Sequence, residues 1–513
     1  MNLSLQPLTI LTFFPLLGAV AVLFLKSEWK KAIRWTTLAI TVITFLLSLW
    51  VLGMFNASNP DLQMVTRLPW IQVGQFNIQY FLGVDGLSIL LVLLTTLLTP
   101  VSILSTWTAV EDRVKEFMLF FLLLETSMIG VFVAQDLFLF YIFWEFTLVP
   151  MYLLIGIWGG PRRIYAAIKF FLYTMAGSIL MLLAILWLGI QQGTFAVPDL
   201  MAKGGIDPHT QMWLFIAFAA AFAIKVPMWP LHSWLPDAHV EAPTAGSVIL
   251  AGVMLKLGTY GFLRFNLGLF PDAAVRAAPV IGALAVIGIL YGAAVSYAQA
   301  DVKKLVAYSS VSHLGFVMLG LFALNTQGIA GGILQMINHG ISTGALFLLV
   351  GIIYEQTHTR ELKVYGGLWK ITPIFGTIML IVALSSMGLP GLNGFVGEFT
   401  ILLGAWGAGM SANGSYGSVW FAALAALGVI LAAIYILFMF QHMFLGPEGS
   451  VVEENKEHGH PIRDMNWREI ATLVPLLIFI FWIGLYPAPF FNLISPAVEK
   501  LTAGLQVAAL AMR

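Results

Sequence analysis

There is no cysteine among the 513 residues, so disulfides, thiolate-held iron–sulfur clusters and cysteine nucleophiles are excluded from this chain. Charge is also scarce. Only 10% of residues are Asp, Glu, Lys or Arg, against roughly a quarter in a soluble domain. The 25 basic and 25 acidic residues cancel, which leaves no net positive charge to attract a nucleic acid. The N-terminal "MNLSLQPLTILTFFPLLGAVAVLFL" lacks both a basic segment before its apolar run and a small-residue cleavage site. It reads as a first membrane helix and not as a signal peptide.

What the chain has is apolar length, with 59% of its residues hydrophobic. A helix needs about 20 apolar residues to cross the hydrocarbon core, and fourteen stretches qualify. The predicted fold is an all-α polytopic membrane protein with about 14 transmembrane helices. Proline interrupts the seventh span, just after Lys225 in "IKVPMWP", and the twelfth, at "GLPGLNG". These two spans are five helices apart, and an odd shift reverses direction. Spans 4–8 and 9–13 therefore read as two inverted five-helix repeats. The chain divides into 1–110 (spans 1–3), 111–270 (first repeat), 271–447 (second repeat) and 448–513 (cytoplasmic loop, span 14 and tail).

Loop charge sets the direction of the spans. Odd loops hold Lys26, Lys30, Lys31, Arg34, Arg113, Lys115, Arg162, Arg163, Lys303, Lys304, Arg360, Lys363, Lys370, Lys456, Arg463 and Arg468. Even loops hold only Arg67, Lys203, Arg264 and Arg276. The positive-inside rule makes the odd loops cytoplasmic. Both termini are then periplasmic, and the chain is expected in a bacterial inner membrane.

The ionisable residues inside the spans carry the functional information, since an unpaired charge at mid-bilayer costs roughly 2.5–3.5 kcal/mol even on the lenient insertion scale. Lys256 lies about 17 Å into the eighth span and Glu145 about 12 Å into the fifth, both near the midplane. Lys225 adjoins the first break, where freed carbonyls can bond an ammonium. Glu398 stands beside the second break. His313 and His339 lie in the tenth and eleventh spans, and His232, Asp237, His239 and Glu241 extend the polar line toward the cytoplasm. Such residues normally mark ion paths or proton relays. The structural alternatives are a lysine bonded to carbonyls, a protonated glutamate and packing histidines. A movable Glu145–Lys225 pair would switch the lysine between holding and releasing a proton. Lys256 would donate toward Glu398, with His339 or water between them. Lys169 is placed to snorkel, Glu125 and Asp136 to be solvated loop ends, Asp301 and Lys303 to form a loop ion pair, and His458 and His460 to lie in a solvated loop.

Four stretches, "FWEFTLVPMYLLIGIWGGPRRIYAAIKFFLYTMAGS", "IKVPMWPLHSWLPDAHVEAPTAGSVILAGVMLKLGTYG", "VKKLVAYSSVSHLGFVMLG" and "LPGLNGFVGEFTILLGAW", resemble the antiporter-like membrane subunits of respiratory complex I. The resemblance covers nearly the whole chain. It implies a proton-translocating subunit of an NADH:quinone oxidoreductase, with Glu145, Lys225, Lys256, His339 and Glu398 as the relay and His232 and His313 as further axis residues. It implies no cofactor or metal on this chain, with NADH, FMN, iron–sulfur clusters and quinone on other subunits. The implied partners are the other membrane subunits, above all two sibling pumps, and the lipid bilayer. Glu398 stands where the siblings and the related Mrp antiporter subunit carry lysine, and the chain ends soon after its last span, without the long lateral helix of one sibling. The competing functions are an Mrp-type sodium/proton antiporter subunit, a membrane subunit of a hydrogenase- or ferredoxin-linked complex, and a passive scaffold.

Overall fold

A backbone in lipid must satisfy its own hydrogen bonds, so apolar runs of this length become helices. The computed structural model describes residues 6–74, 76–410 and 418–511. Helices α1 (Pro7–Phe24) and α2 (Lys30–Met54) precede an antiparallel hairpin, β1 (Gln63–Val73) and β2 (Phe76–Val84). Next come α3 (Ile89–Ala109), α4 (Val114–Val133), α5 (Leu137–Phe146) and α6 (Leu148–Trp158). The last two form one span, Leu137–Trp158, joined through Thr147 in helical conformation. Helix α7 (Arg163–Gln192) and the short α8 (Val197–Lys203) lead to the first interrupted pair, α9 (Pro208–Lys225) and α10 (Trp234–Glu241).

The eighth span is irregular. It runs through α11 (Thr244–Ile249), a π-helical turn (Leu250–Met254), α12 (Leu255–Gly261), a second π turn (Phe262–Asn266) and α13 (Leu267–Leu269). Then follow α14 (Pro271–Tyr297), α15 (Val302–Leu321), α16 (Thr326–Thr357), the short α17 (Leu368–Ile371) and the second interrupted pair, α18 (Pro373–Ser386) and α19 (Asn393–Met410). Helices α20 (Val419–Phe444), α21 (Ser450–Glu457), α22 (Trp467–Leu485) and α23 (Ala488–Ala511) complete the order.

Among the described residues, twelve helices are long and apolar enough to cross a membrane. The predicted spans outside those twelve are the seventh and the twelfth, where proline cuts the helix into the pairs α9/α10 and α18/α19. Enclosure is uneven across the bundle. The eighth span is buried along its whole apolar window and α16 along 94% of its own, whereas α2 and α22 bury 33%. The two elements carrying Lys256 and His339 are thus the most enclosed of these spans, followed by α15 and α3.

Two features were not expected from sequence. The hairpin stands where an all-α reading places a loop, and residues 488–511, read as the end of span 14 and its tail, form a separate 24-residue helix. Helix α23 lies across the hairpin end of the bundle: Gly86 packs under its Leu493 carbonyl, Lys500 pairs with Asp61 at 2.5 Å, and Thr502 bonds Thr326 at the start of α16. We call this end the hairpin face and the opposite one the basic face.

Candidate functional site

The site begins with backbone irregularity. In the first π turn the Leu255 N–H bonds Leu250 O, five residues back. A regular helix would direct that N–H to Ala251 O. The carbonyl of Ala251 is available instead to the ammonium of Lys256, 2.6 Å away. The same Nζ lies 2.6 Å from His339 Nδ1 on α16. The two helices come this close because they cross at glycines: a Cβ on Gly340 would stand 2.8 Å from the Gly252 carbonyl. Lys256 is fully buried and His339 nearly so.

The line continues through His313 on α15, whose ring centre is 5.9 Å from that of His339. His313 Nδ1 donates to Glu398 Oε1 at 2.8 Å, and the Tyr435 hydroxyl lies 3.2 Å from His313 Nε2. Gln335 donates a second bond to Glu398 Oε1 at 3.1 Å. Glu398 reaches this position because α19 packs tightly on α16, where a Cβ on Gly397 would stand 2.2 Å from Gln335 Oε1. Both imidazoles line a small cavity of about 10 Å³, roughly the space of one water, together with Asn338, Ser342 and Ser385. His339 Nε2 is buried without a protein partner. Lys256, His339, His313 and Glu398 therefore form a chain of exchangeable protons across four transmembrane elements.

The other sequence-predicted residues are placed differently. Lys225 is the last residue of α9 and is fully buried, with no hydrogen-bond partner. Its Nζ sits 5.3 Å from the Trp144 ring centre and 5.5 Å from that of Phe170, a cation–π arrangement. The expected Glu145–Lys225 contact is not formed: among the described residues no carboxylate lies within 4.0 Å of Lys225 Nζ. The two groups nonetheless lie close enough to interact electrostatically across the bundle. Glu145 is half-buried, with one carboxylate oxygen enclosed and unbonded, and its span also carries the exposed Ile142, Phe146 and Val149. His232 lies against the rings of Tyr291 and Tyr308 and outside the chain of four.

Other expectations need correction. Glu125 is no loop end. It is fully buried within α4, with neither oxygen bonded. Asp136 is also buried, where it caps α5 through Phe138 N and Leu139 N and accepts from Gln79 N. Asp301 pairs with Arg360 and caps α15, while Lys303 donates to the Ala242 carbonyl at 2.6 Å. Lys169 does not snorkel free but pairs with Asp237 at 2.7 Å. Arg264 is not a loop residue. It is buried in the second π turn and makes a two-pronged pair with Asp85 at 2.5 and 2.6 Å. His458 and His460 are exposed, as expected.

Sequence reasoning also missed the polar lining from α16, α18, α19 and α20. Gln335, Asn338, His339, Ser342 and Thr343 recur at helical three- and four-residue spacing, a stripe legible in the sequence. Tyr435 gave no such signal. On the basic face a cavity of about 660 Å³ is lined by Glu241, Lys303, Glu355 and Arg360, among others. His239, fully buried on α10 and stacked on Phe347, has both ring nitrogens unpartnered. No group of three or more metal-ligating side chains occurs among the described residues.

Residues 134–434 match the family described as NADH:quinone oxidoreductase/Mrp antiporter, TM. The chain belongs to that family. Within it, the chain is 47% identical to NADH-quinone oxidoreductase subunit M of Rhodobacter capsulatus, covering 96% of each sequence. It superposes on a chain of respiratory complex I from Thermus thermophilus with a TM-score of 0.86, at 33% identity over 97% of this chain and 99% of that one. A chain of the Mrp complex from Dietzia sp. DQ12-45-1b has the same fold, with a TM-score of 0.83 at 20% identity over 99% and 100% of the two chains. The family architecture thus places this multi-pass protein among membrane subunits that work in assemblies.

Proposed function

We propose that this chain is a proton-translocating subunit of a redox-driven NADH:quinone oxidoreductase and moves protons along Lys256, His339, His313 and Glu398. The observation that carries the reading is the pair of short contacts at the ends of that chain, Lys256–His339 at 2.6 Å and His313–Glu398 at 2.8 Å. One water in the cavity between the imidazoles would bridge the remaining gap. Lys225 and Glu145 supply the switch on the first repeat (111–270), and the His313–Glu398 side belongs to the second (271–447). Glu398 releases protons at the hairpin face, which the loop-charge bias makes the outer, periplasmic one. The cavity beside Glu241 and Lys303 is the cytoplasmic entry. NADH, FMN, iron–sulfur clusters and quinone belong to other subunits, and a chain without cysteine supplies no thiolate for a cluster. The similarity to an NADH-quinone oxidoreductase subunit at 47% identity favours this reading over an antiporter subunit, for which the 20% likeness supports only a shared fold.

The test is NADH-driven proton uptake by vesicles carrying the assembled complex, normalised to electron transfer. Lys256→Ala should stop uptake. Lys256→Arg should lower it by at least about tenfold, because guanidinium keeps its proton. Parental pumping by Lys256→Arg would reduce Lys256 to a fixed charge.

A further inference from the structure

A second cavity, about 730 Å³, opens on the hairpin face between the hairpin, α8, α13 and α23. Lys500 and Asp61 stand at its rim, with side chains 61% and 65% exposed. Asp85, Arg264 and Gln135 line its depths, and the first two are the buried pair described above. Arg264 lies eight residues after Lys256 in the same span, about 12 Å along the axis. Midway between them is Tyr260, fully buried. Its hydroxyl donates to the Phe132 carbonyl and accepts from Arg264 Nε, each at 3.1 Å. Phe132 and Phe265 pack edge-on against the Tyr260 ring. Arg264 is thus held on three sides: both nitrogens of its fork on Asp85, its Nε on Tyr260.

This arrangement separates an open cavity from the central lysine by one tyrosine and one ion pair. If water passed that point, Lys256 could exchange protons with the hairpin side directly, bypassing His339, His313 and Glu398. We propose that the Arg264–Asp85 pair, backed by Tyr260, is the outer seal of the first repeat, which keeps Lys256 from exchanging protons with the outer phase except through the second repeat. The inference rests on the proton-translocating role of Lys256. An ion pair suits the position because each partner satisfies the other's polar groups and leaves neither for a water file. Removing one partner leaves a buried charge that recruits water, whereas replacing both with apolar residues of similar size keeps the plug closed.

The experiment uses the whole complex in vesicles without NADH, with an imposed pH gradient whose decay is followed by a pH-sensitive dye. Asp85→Asn, which preserves shape, and Arg264→Gln should each speed the decay severalfold while electron transfer stays at the parental rate. The double variant Asp85→Leu/Arg264→Met should be as tight as the parent and should pump normally. Combining Asp85→Asn with Lys256→Ala should return the decay to the parental rate. Tight vesicles from both single variants would overturn the proposal, as would a leak that survives Lys256→Ala. Loss of pumping in the apolar double variant would also overturn it, since the pair would then conduct protons. Failure of the underlying reading registers separately, as normal NADH-driven pumping by Lys256→Ala in the otherwise parental chain.

Discussion

At the scale of single residues, the two buried lysines differ in what holds them. Lys256 has a carbonyl and an imidazole at hydrogen-bond distance, whereas Lys225 has aromatic faces and, beyond hydrogen-bond distance, the carboxylate of Glu145. Replacing Lys225 by Met removes a buried ammonium that makes no hydrogen bond, so thermal stability should stay level or rise while pumping is lost. Lys256→Met strands His339 Nδ1 and should lower stability by about 1–3 kcal/mol. Calorimetry of the assembled complex separates the two outcomes. Asp136 allows a pH test at the hairpin face. Burial pushes its carboxyl up to about 6, against the lowering influence of backbone N–H donors from Gln79, Leu139 and Phe138 and of nearby Arg67. A carboxyl raised in the fold stabilises it while protonated. That contribution is full below the ordinary carboxylate range and is lost as pH rises through about 6. Asp136→Asn should therefore flatten the stability profile between about pH 4 and 6, as read by thermal unfolding in detergent. A profile unchanged from the parent would mean Asp136 ionises as it would in water.

At the scale of elements, function depends on departures from the regular helix. The π turns shift the backbone register beside Lys256 and Arg264, and the break between α18 and α19 brings Ser385 and Asn393 within 2.5 Å. The break requires small residues. Gly388 and Gly391 have φ of +79° and +92°, which L side chains rarely adopt. A Cβ on Gly394 would meet the Ser385 carbonyl at 2.1 Å. Gly340→Ala should push the eighth span away from α16, lengthen the Lys256–His339 contact and cost about 1–3 kcal/mol through overpacking. The expected readout is a complex that still transfers electrons but pumps fewer protons per electron. Unchanged pumping would show that the glycine crossing does not set that distance.

At the scale of the whole molecule, the prediction concerns direction. Asn2 and Arg513, the terminal positions suited to labelling, lie outside the described residues. Lys203 on the hairpin face and Glu457 on the basic face are both exposed and serve instead. In intact cells a cysteine at Lys203 should react with an impermeant thiol reagent, and one at Glu457 should be protected until the membrane is opened. The chain's lack of native cysteine means that any label on the purified chain reports the introduced site. The reverse pattern would invert the assignment of entry and exit cavities.

The sequence by itself determined the membrane class, the apolar spans, the two proline breaks and the presence of Lys225, Lys256, His313, His339 and Glu398 inside the bundle. Each follows from local composition: a run of about 20 apolar residues has few options in lipid, and an ionisable group within one is conspicuous. The hairpin and α23 escaped that reasoning because their sequences are neither long apolar spans nor polar loops. Only the tertiary structure decided the partners. Lys256 meets His339 across 83 residues of chain, and His313 meets Glu398 across 85, because glycines let particular helices cross closely. The same geometry left Glu145 and Lys225 out of direct contact and drew Arg264 out of its expected loop onto Asp85, 179 residues distant. Spacing along the chain says which face of a helix a residue occupies. It does not say which other helix that face will touch.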